Sequence, residues 1–220
     1  MTAANDYAHA KGLSVKDVVI RYTEWAEKYE QDLNENNYRG PSIAAAAMTQ
    51  LYPPSQRSKV NILDVAAGSG LAGEKLHVEG FTSLDALEPS EGMLKLAERK
   101  GIYGKTFREF FTGQPTTEIE AGAYDAALIC GGMGEGHIPC AGLDEMTRVV
   151  RSGGHAVIVM REQYLTTVEE YNGRLESKMK EMEEVQGLWE AVYRKVVPKY
   201  SFDNNGVVFV FKVKAAPCKR

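Results

Sequence analysis

The chain has 220 residues, a quarter of them charged, with a formal net charge of −4 and a pI near 5.7. That is one domain with enough apolar residues for a substantial core, and it lacks the global basic field that would hold nucleic acid. Three cysteines, Cys130, Cys140 and Cys218, show neither metal-ligand spacing nor a disulfide framework, which fits a reducing compartment. No secretory signal pattern opens the sequence and no apolar run approaches the ~20 residues of a membrane span, so a cytoplasmic protein without a membrane partner is expected.

Residues 1–13 read as loosely ordered. Ser14 is a candidate N-cap for an amphipathic helix from Val15 to Asn34. Tyr22, Trp25 and Tyr29 recur on it at spacings of three and four, hence on one face. Asn36 to Pro41 forms a turn, Ser42 caps a second helix to about Leu51, and Pro53-Pro54-Ser55-Gln56 breaks the chain. From Val60 onward strands and helices alternate as in βαβ units around a parallel sheet. Expected strands are Val60–Val65, Ser83–Leu87, Thr106–Phe110, Tyr124–Cys130 and His155–Met160, the last entered through a Ser152-Gly153-Gly154 turn. The helices between them are Gly70–Glu79, one capped by Ser90 that ends before Gly101, and Leu143–Val150. A charged helix then runs from Val168 to about Gln186, its mixed signs marking a solvated face. Val196–Phe202 and Val207–Val213 flank Asp203-Asn204-Asn205-Gly206, where Asn-Gly signals an antiparallel hairpin. The basic end, Lys212 to Arg220, reads as a solvated terminus.

The segment Ile62-Leu63-Asp64-Val65-Ala66-Ala67-Gly68-Ser69-Gly70-Leu71-Ala72-Gly73 is the most informative. An apolar strand ends in an acid and breaks into a loop of small residues that opens a helix, presenting unpaired N–H groups to a ligand. Gly68-x-Gly70-x-x-Gly73 alone also fits nicotinamide enzymes. The acid four residues before Gly68 sharpens it, because a carboxylate repels a pyrophosphate and suits a ligand with a cationic end. Glu88, 24 residues after Asp64 at the end of the second strand, stands where an acid hydrogen-bonds ribose hydroxyls.

Asp64-x-Ala66-x-Gly68-x-Gly70 resembles motif I of the class I S-adenosylmethionine (SAM)-dependent methyltransferases, with Ala66 replacing its first glycine. The likeness extends over about residues 14–213 to the family of the methyltransferase-like protein of the Williams–Beuren syndrome chromosomal region. It is carried by Trp25-Ala26-x-x-Tyr29, Glu88-Pro89-Ser90-x-x-Met93-Leu94, Gly136-His137-Ile138-Pro139 and Arg161-Glu162-x-Tyr164-Leu165. The resemblance implies a doubly wound, mostly parallel seven-stranded α/β sheet of Rossmann-like type, ending in an antiparallel hairpin. Residues 1–55 would form a helical lid over a core of residues 56–214.

It implies SAM as cofactor and S-adenosylhomocysteine as product, held by Asp64, Ala66, Gly68, Ser69, Gly70, Glu88 and Pro89. Met93 is placed as an apolar wall for adenine, and Glu109 and Phe110 near the adenine amino group. Cys130 and Gly131 would lie against the methionine half, with Cys130 more a small filler than a nucleophile. Tyr22, Trp25, Tyr29 and Tyr38 would cover the cofactor, their faces attracting a sulfonium; plain packing explains their spacing as well. His137 is the candidate base, with Glu135 and Tyr164 behind it, although a loop-shaping histidine is an equal reading. Arg161 and Glu162 would touch substrate or pair with each other. No metal site and no obligate protein partner is evident. The methyl acceptor is unidentified, a small molecule or protein before nucleic acid. A non-catalytic SAM-binding module and, less favoured, an NAD-dependent oxidoreductase are the alternatives.

Overall fold

The computed structural model describes residues 12–34 and 36–215. The expectations for residues 1–11, for Cys218 and for the basic end beyond residue 215 lie outside the described residues. The strands are β1 (Asn61–Val65), β2 (Ser83–Leu87), β3 (Tyr103–Phe107), β4 (Tyr124–Cys130), β5 (Val150–Arg161), β6 (Trp189–Ser201) and β7 (Asn204–Val213). They stand in the order β3-β2-β1-β4-β5-β7-β6, parallel through β5, with β7 antiparallel to β5 and β6. No helix among the described residues is long and apolar enough to cross a membrane.

Side chains alternate along each central strand, and both faces are covered. Leu63, Val65, Ala127 and Ile129 face one core, while Ile62, Ala126 and Leu128 face the other. Helices α2 (Gly40–Leu51) and α4 (Leu71–Val78) cover the Ile62 side. On the other side lie α6 (Gly142–Val149), α7 (Tyr164–Thr167) and α8 (Leu175–Glu184). Helix α1 (Val15–Asp32) starts in a capping box, Ser14 Oγ accepting from Asp17 N and the Asp17 carboxylate accepting from Ser14 N. It packs on α5 (Glu91–Arg99), which Ser90 caps as expected.

Several expected boundaries move, each for a physical reason. Helix α2 begins at Gly40 with Pro41 in its first turn, so Ser42 lies inside it and caps nothing. The expected break at Pro53–Gln56 is instead a single turn of helix, α3 (Pro54–Arg57), entered through its proline. Strand β3 starts at Tyr103 rather than Thr106, because Leu84 pairs with Tyr103 and Leu87 with Phe107; Glu109 and Phe110 have left the sheet. The Ser152-Gly153-Gly154 turn is an irregularity within the longer β5. The charged helix starts later than expected: residues 168–174 run as turns, with Gly173 at φ +67°, and helix forms only over α8.

The final hairpin is longer than the apolar runs suggested. Trp189 opens β6 fully buried, stacked on Phe211 at 4.0 Å, with its indole N–H donating to Met179 O at 3.1 Å. The chain reverses at Phe202-Asp203, between the paired Ser201 and Asn204, and not at Asn205-Gly206. Gly206 serves another purpose, since a Cβ there would lie 2.7 Å from Cβ of Tyr200. The turn of the sheet's last hairpin is also sewn to the chain before α2. Arg39 N–H donates to Tyr200 O (2.8 Å), Phe202 N–H donates to Asn37 O (2.7 Å), and Tyr38 bridges Ser201. Gly206→Ala should therefore lower the unfolding free energy by about 1–3 kcal/mol in urea denaturation; an unchanged midpoint would show that Tyr200 does not need the space.

Candidate active site

The carboxyl ends of β1, β2 and β4 meet beneath α1 around a cavity of about 1040 Å³, its mouth included. It lies between β1 and β4, from which the chain leaves in opposite directions, toward β2 and toward β5, the place where open α/β sheets take ligands. The floor is the turn after β1. Gly68 takes φ +57°, and Gly70 takes φ +89° as the N-cap of α4. Ala66, in place of the motif's first glycine, also takes φ +54°, a conformation that costs an L-residue about 1 kcal/mol. Space for its methyl is left across the cavity wall by Gly132, whose Cβ would come within 2.7 Å of it.

Glu88 directly follows β2, is 7% exposed and lines the cavity. Its Oε2 accepts from Gly68 N (2.9 Å) and its Oε1 from Ser90 N (2.8 Å). Ser69 lines the floor, and its buried hydroxyl has no hydrogen-bond partner among the described residues. The roof is Tyr22 and Tyr29 of α1 together with Tyr38. Pro89 and Phe110 form one wall, Cys130 and Gly131 the other, and His137 the rim. Val15, Val18 and Val19 complete the roof and were missed in the sequence, although with Tyr22 they follow the i, i+3, i+4, i+7 spacing of one helix face.

Five expected contacts stand outside the cavity wall. Trp25 is buried behind Tyr29, its ring 4.8 Å away and its N–H donating to Asp32. Met93, on α5, is wholly buried. Glu109 turns away to accept from Thr117 Oγ1. Gly70 packs against Tyr103 and Ala97. Asp64 also points behind the loop, where its Oδ2 accepts from Tyr103 Oη at 2.7 Å and its carboxylate from the Gly73 amide, while Oδ1 has no hydrogen-bond partner among the described residues. Nothing in the sequence linked Tyr103 to Asp64, 39 positions earlier.

Residues 63–158 match the model of a methyltransferase domain. The chain is 33% identical over 171 residues to human methyltransferase-like protein 27, covering 78% of this chain and 67% of that protein. The chain belongs to the class I SAM-dependent methyltransferases. A demethylmenaquinone methyltransferase of Clavibacter sepedonicus is 36% identical over 98 residues, 44% of this chain and 39% of its own length. Among solved structures, a chain from the complex of the Haloferax volcanii Trm112 methyltransferase activator with a methyltransferase superposes with a TM-score of 0.64 at 10% identity. It covers 88% of this chain and 98% of its own. A SAM-dependent methyltransferase from Thermotoga maritima gives 0.58 at 15%, with the same coverage. At such identities the likeness is one of fold, and it includes the hairpin-ended sheet. The nicotinamide oxidoreductase alternative falls with this membership.

The electrostatics of this methyltransferase's site are set by burial. Desolvation raises Glu88 to about 7 and Asp64 to about 6, against the N–H and O–H groups that each accepts from. Desolvation likewise pushes the Cys130 thiol up to about 12, which leaves it a filler rather than a nucleophile. His137 is held below its ordinary value, burial outweighing its contacts with Glu135.

The folded chain binds the carboxyl protons of Asp64 and Glu88 more tightly than the unfolded chain does. Both groups therefore stabilise the ligand-free fold at low pH, and that contribution is lost as pH rises from about 4 through 7. Glu88→Gln removes one of these titrations. Between pH 5 and pH 8 the difference in unfolding free energy should shift by roughly 2 kcal/mol in the variant's favour. A pH-independent difference would show that Glu88 is ionised in the fold throughout.

Proposed function

We propose that the chain binds SAM in this cavity and transfers its methyl group to a small molecule. The observation that carries the reading is the pairing of one buried carboxylate, Glu88, with a floor of left-handed small residues under a roof of phenol rings. Each part matches one part of the cofactor. Glu88 is an acceptor for the ribose diol, and the unpartnered Ser69 hydroxyl is a donor for a carboxylate. Pro89 and Phe110 offer apolar faces to adenine, and Tyr22, Tyr29 and Tyr38 offer π-faces to a sulfonium. Asp64 supports the floor from behind through Tyr103 and Gly73. When bound, SAM supplies an electrophilic methyl group.

The protein's own task is then alignment and exclusion of water, since methyl transfer rests on placing the acceptor in line with the carbon–sulfur bond. Residues up to 55 act as a cover on a core of residues 56–214, and cover opening admits both reactants. A small-molecule acceptor fits a cavity roofed by a helix, and the acidic balance of the chain weighs against nucleic acid. The three cysteines, without a disulfide framework in their spacing, support a reducing, cytoplasmic setting.

In a thermal-shift experiment S-adenosylhomocysteine should raise the melting temperature and NAD should not. Glu88→Ala should weaken S-adenosylhomocysteine binding by about tenfold or more. Incubation of the protein with methyl-tritiated SAM and cell extract should label the small-molecule fraction. Label in no fraction, with product binding intact, would overturn the enzymatic reading in favour of a non-catalytic binding module.

A further inference from the structure

Two groups on opposite sides of the cavity meet across its rim. Tyr22 hangs from α1, His137 stands in the loop between β4 and α6, and both line the cavity. Tyr22 Oη lies 3.1 Å from His137 Nε2, with the rings edge to face at 5.5 Å. The proton positions follow from the other ring nitrogen. His137 Nδ1 is 2.7 Å from the carbonyl oxygen of Glu135, and a carbonyl can only accept, so Nδ1 carries the proton. In the neutral imidazole Nε2 is then a lone pair, and the Tyr22 hydroxyl donates to it. The imidazole is therefore oriented as a base toward the cavity, with a phenol standing between it and any ligand.

We propose that Tyr22 is a catalytic residue that relays the acceptor's proton to His137, so that the base is complete only while α1 covers the cavity. This rests on the methyltransferase reading above and deepens it: the acceptor carries a neutral O–H, S–H or N–H. The acceptor X–H gives its proton to Tyr22 Oη as Tyr22 gives its own to His137 Nε2. X forms its bond to the methyl carbon, the carbon–sulfur bond breaks, and its electron pair stays on sulfur. One positive charge is present before and after, moved from sulfur to imidazole, so the buried site gains no net charge. Because the two proton shifts are coupled, no free tyrosinate is needed at a site whose burial opposes one. Among the described residues, the titratable groups around the pair are Glu135 beside the imidazole, and Tyr29, Tyr164, Glu88 and Tyr200 around the phenol. Opening of the roof returns the proton to water.

A purely structural clip between roof and rim would look alike in the resting protein, and Tyr22→Phe separates the two. The ring is already held by Trp25 at 5.9 Å and Tyr29 at 6.1 Å, so loss of the hydroxyl leaves the packing in place. The full chain, labelled with 15N-histidine and saturated with S-adenosylhomocysteine, is titrated by NMR. Neutral His137 should be the Nδ1–H tautomer, and Tyr22→Phe should raise its pKa by roughly half a unit or more, because a donor to the neutral form is lost. An Nε2–H tautomer, or identical titrations, would overturn the relay.

With methyl-tritiated SAM and the small-molecule fraction of an extract, Tyr22→Phe should slow transfer about tenfold or more while product affinity stays within about twofold. The limb of the pH–rate profile set by His137 should move with its NMR titration. Equal rates would reduce Tyr22 to a packing group. If S-adenosylhomocysteine does not bind, the cofactor reading fails instead. If the parent protein labels nothing, the acceptor reading fails and the titration alone decides the relay.

Discussion

One buried carboxylate holds the site together. Glu88 accepts from Gly68 in the floor and from Ser90 at the head of α5. Ser90 Oγ in turn accepts from Met93 N and meets Thr23 Oγ1 of α1 at 2.8 Å. Thr23 gives its own proton to Val19 O, so the serine donates. A line of hydrogen bonds thus runs from the glycine loop, through the end of β2, to the helix that roofs the cavity. Two N–H groups whose positions are fixed by backbone offset part of the cost of taking Glu88 out of water, and the remainder shows in its raised proton affinity.

A second acid plays a supporting part. Asp64 props the floor from below through Tyr103 and Gly73, and its burial shows in its raised proton affinity. The floor itself departs from the usual all-glycine turn at Ala66, and the departure is tolerated because Gly132 on β4's exit supplies the missing room. Substituting one glycine of the loop has shifted the demand for a small residue onto a neighbouring strand end.

Much of this was legible in the chain. The βαβ alternation, the glycine loop, the serines heading α1 and α5, and the three- and four-residue spacing that puts the aromatics of α1 on one face are local signals, and they hold. The misses are positions where a distant partner decides. Tyr103-Gly104-Lys105 carries no apolar alternation, yet it pairs with β2 because Tyr103 reaches Asp64. β6 is an edge strand whose exposed valines and charges gave no strand pattern before Val196, while Trp189 anchors its start in the core. Asn205-Gly206 has the composition of a turn, but the glycine answers the ring of Tyr200 instead. The facing of Asp64 and the partner of His137 depend on contacts 39 and 115 positions apart, which no local spacing encodes.

The stitching of residues 37–39 to the hairpin turn has a consequence for the order of assembly. Tyr38 and Tyr200, whose hydroxyls lie 3.4 Å apart, are separated by 162 positions. During synthesis the first helices emerge long before the strand that fastens them. The floor of the site can fold while it still lacks a fixed cover, and closure of that long loop is among the late, non-local steps. Ligand-binding competence is thereby a checkpoint on nearly the whole polypeptide having reached its place.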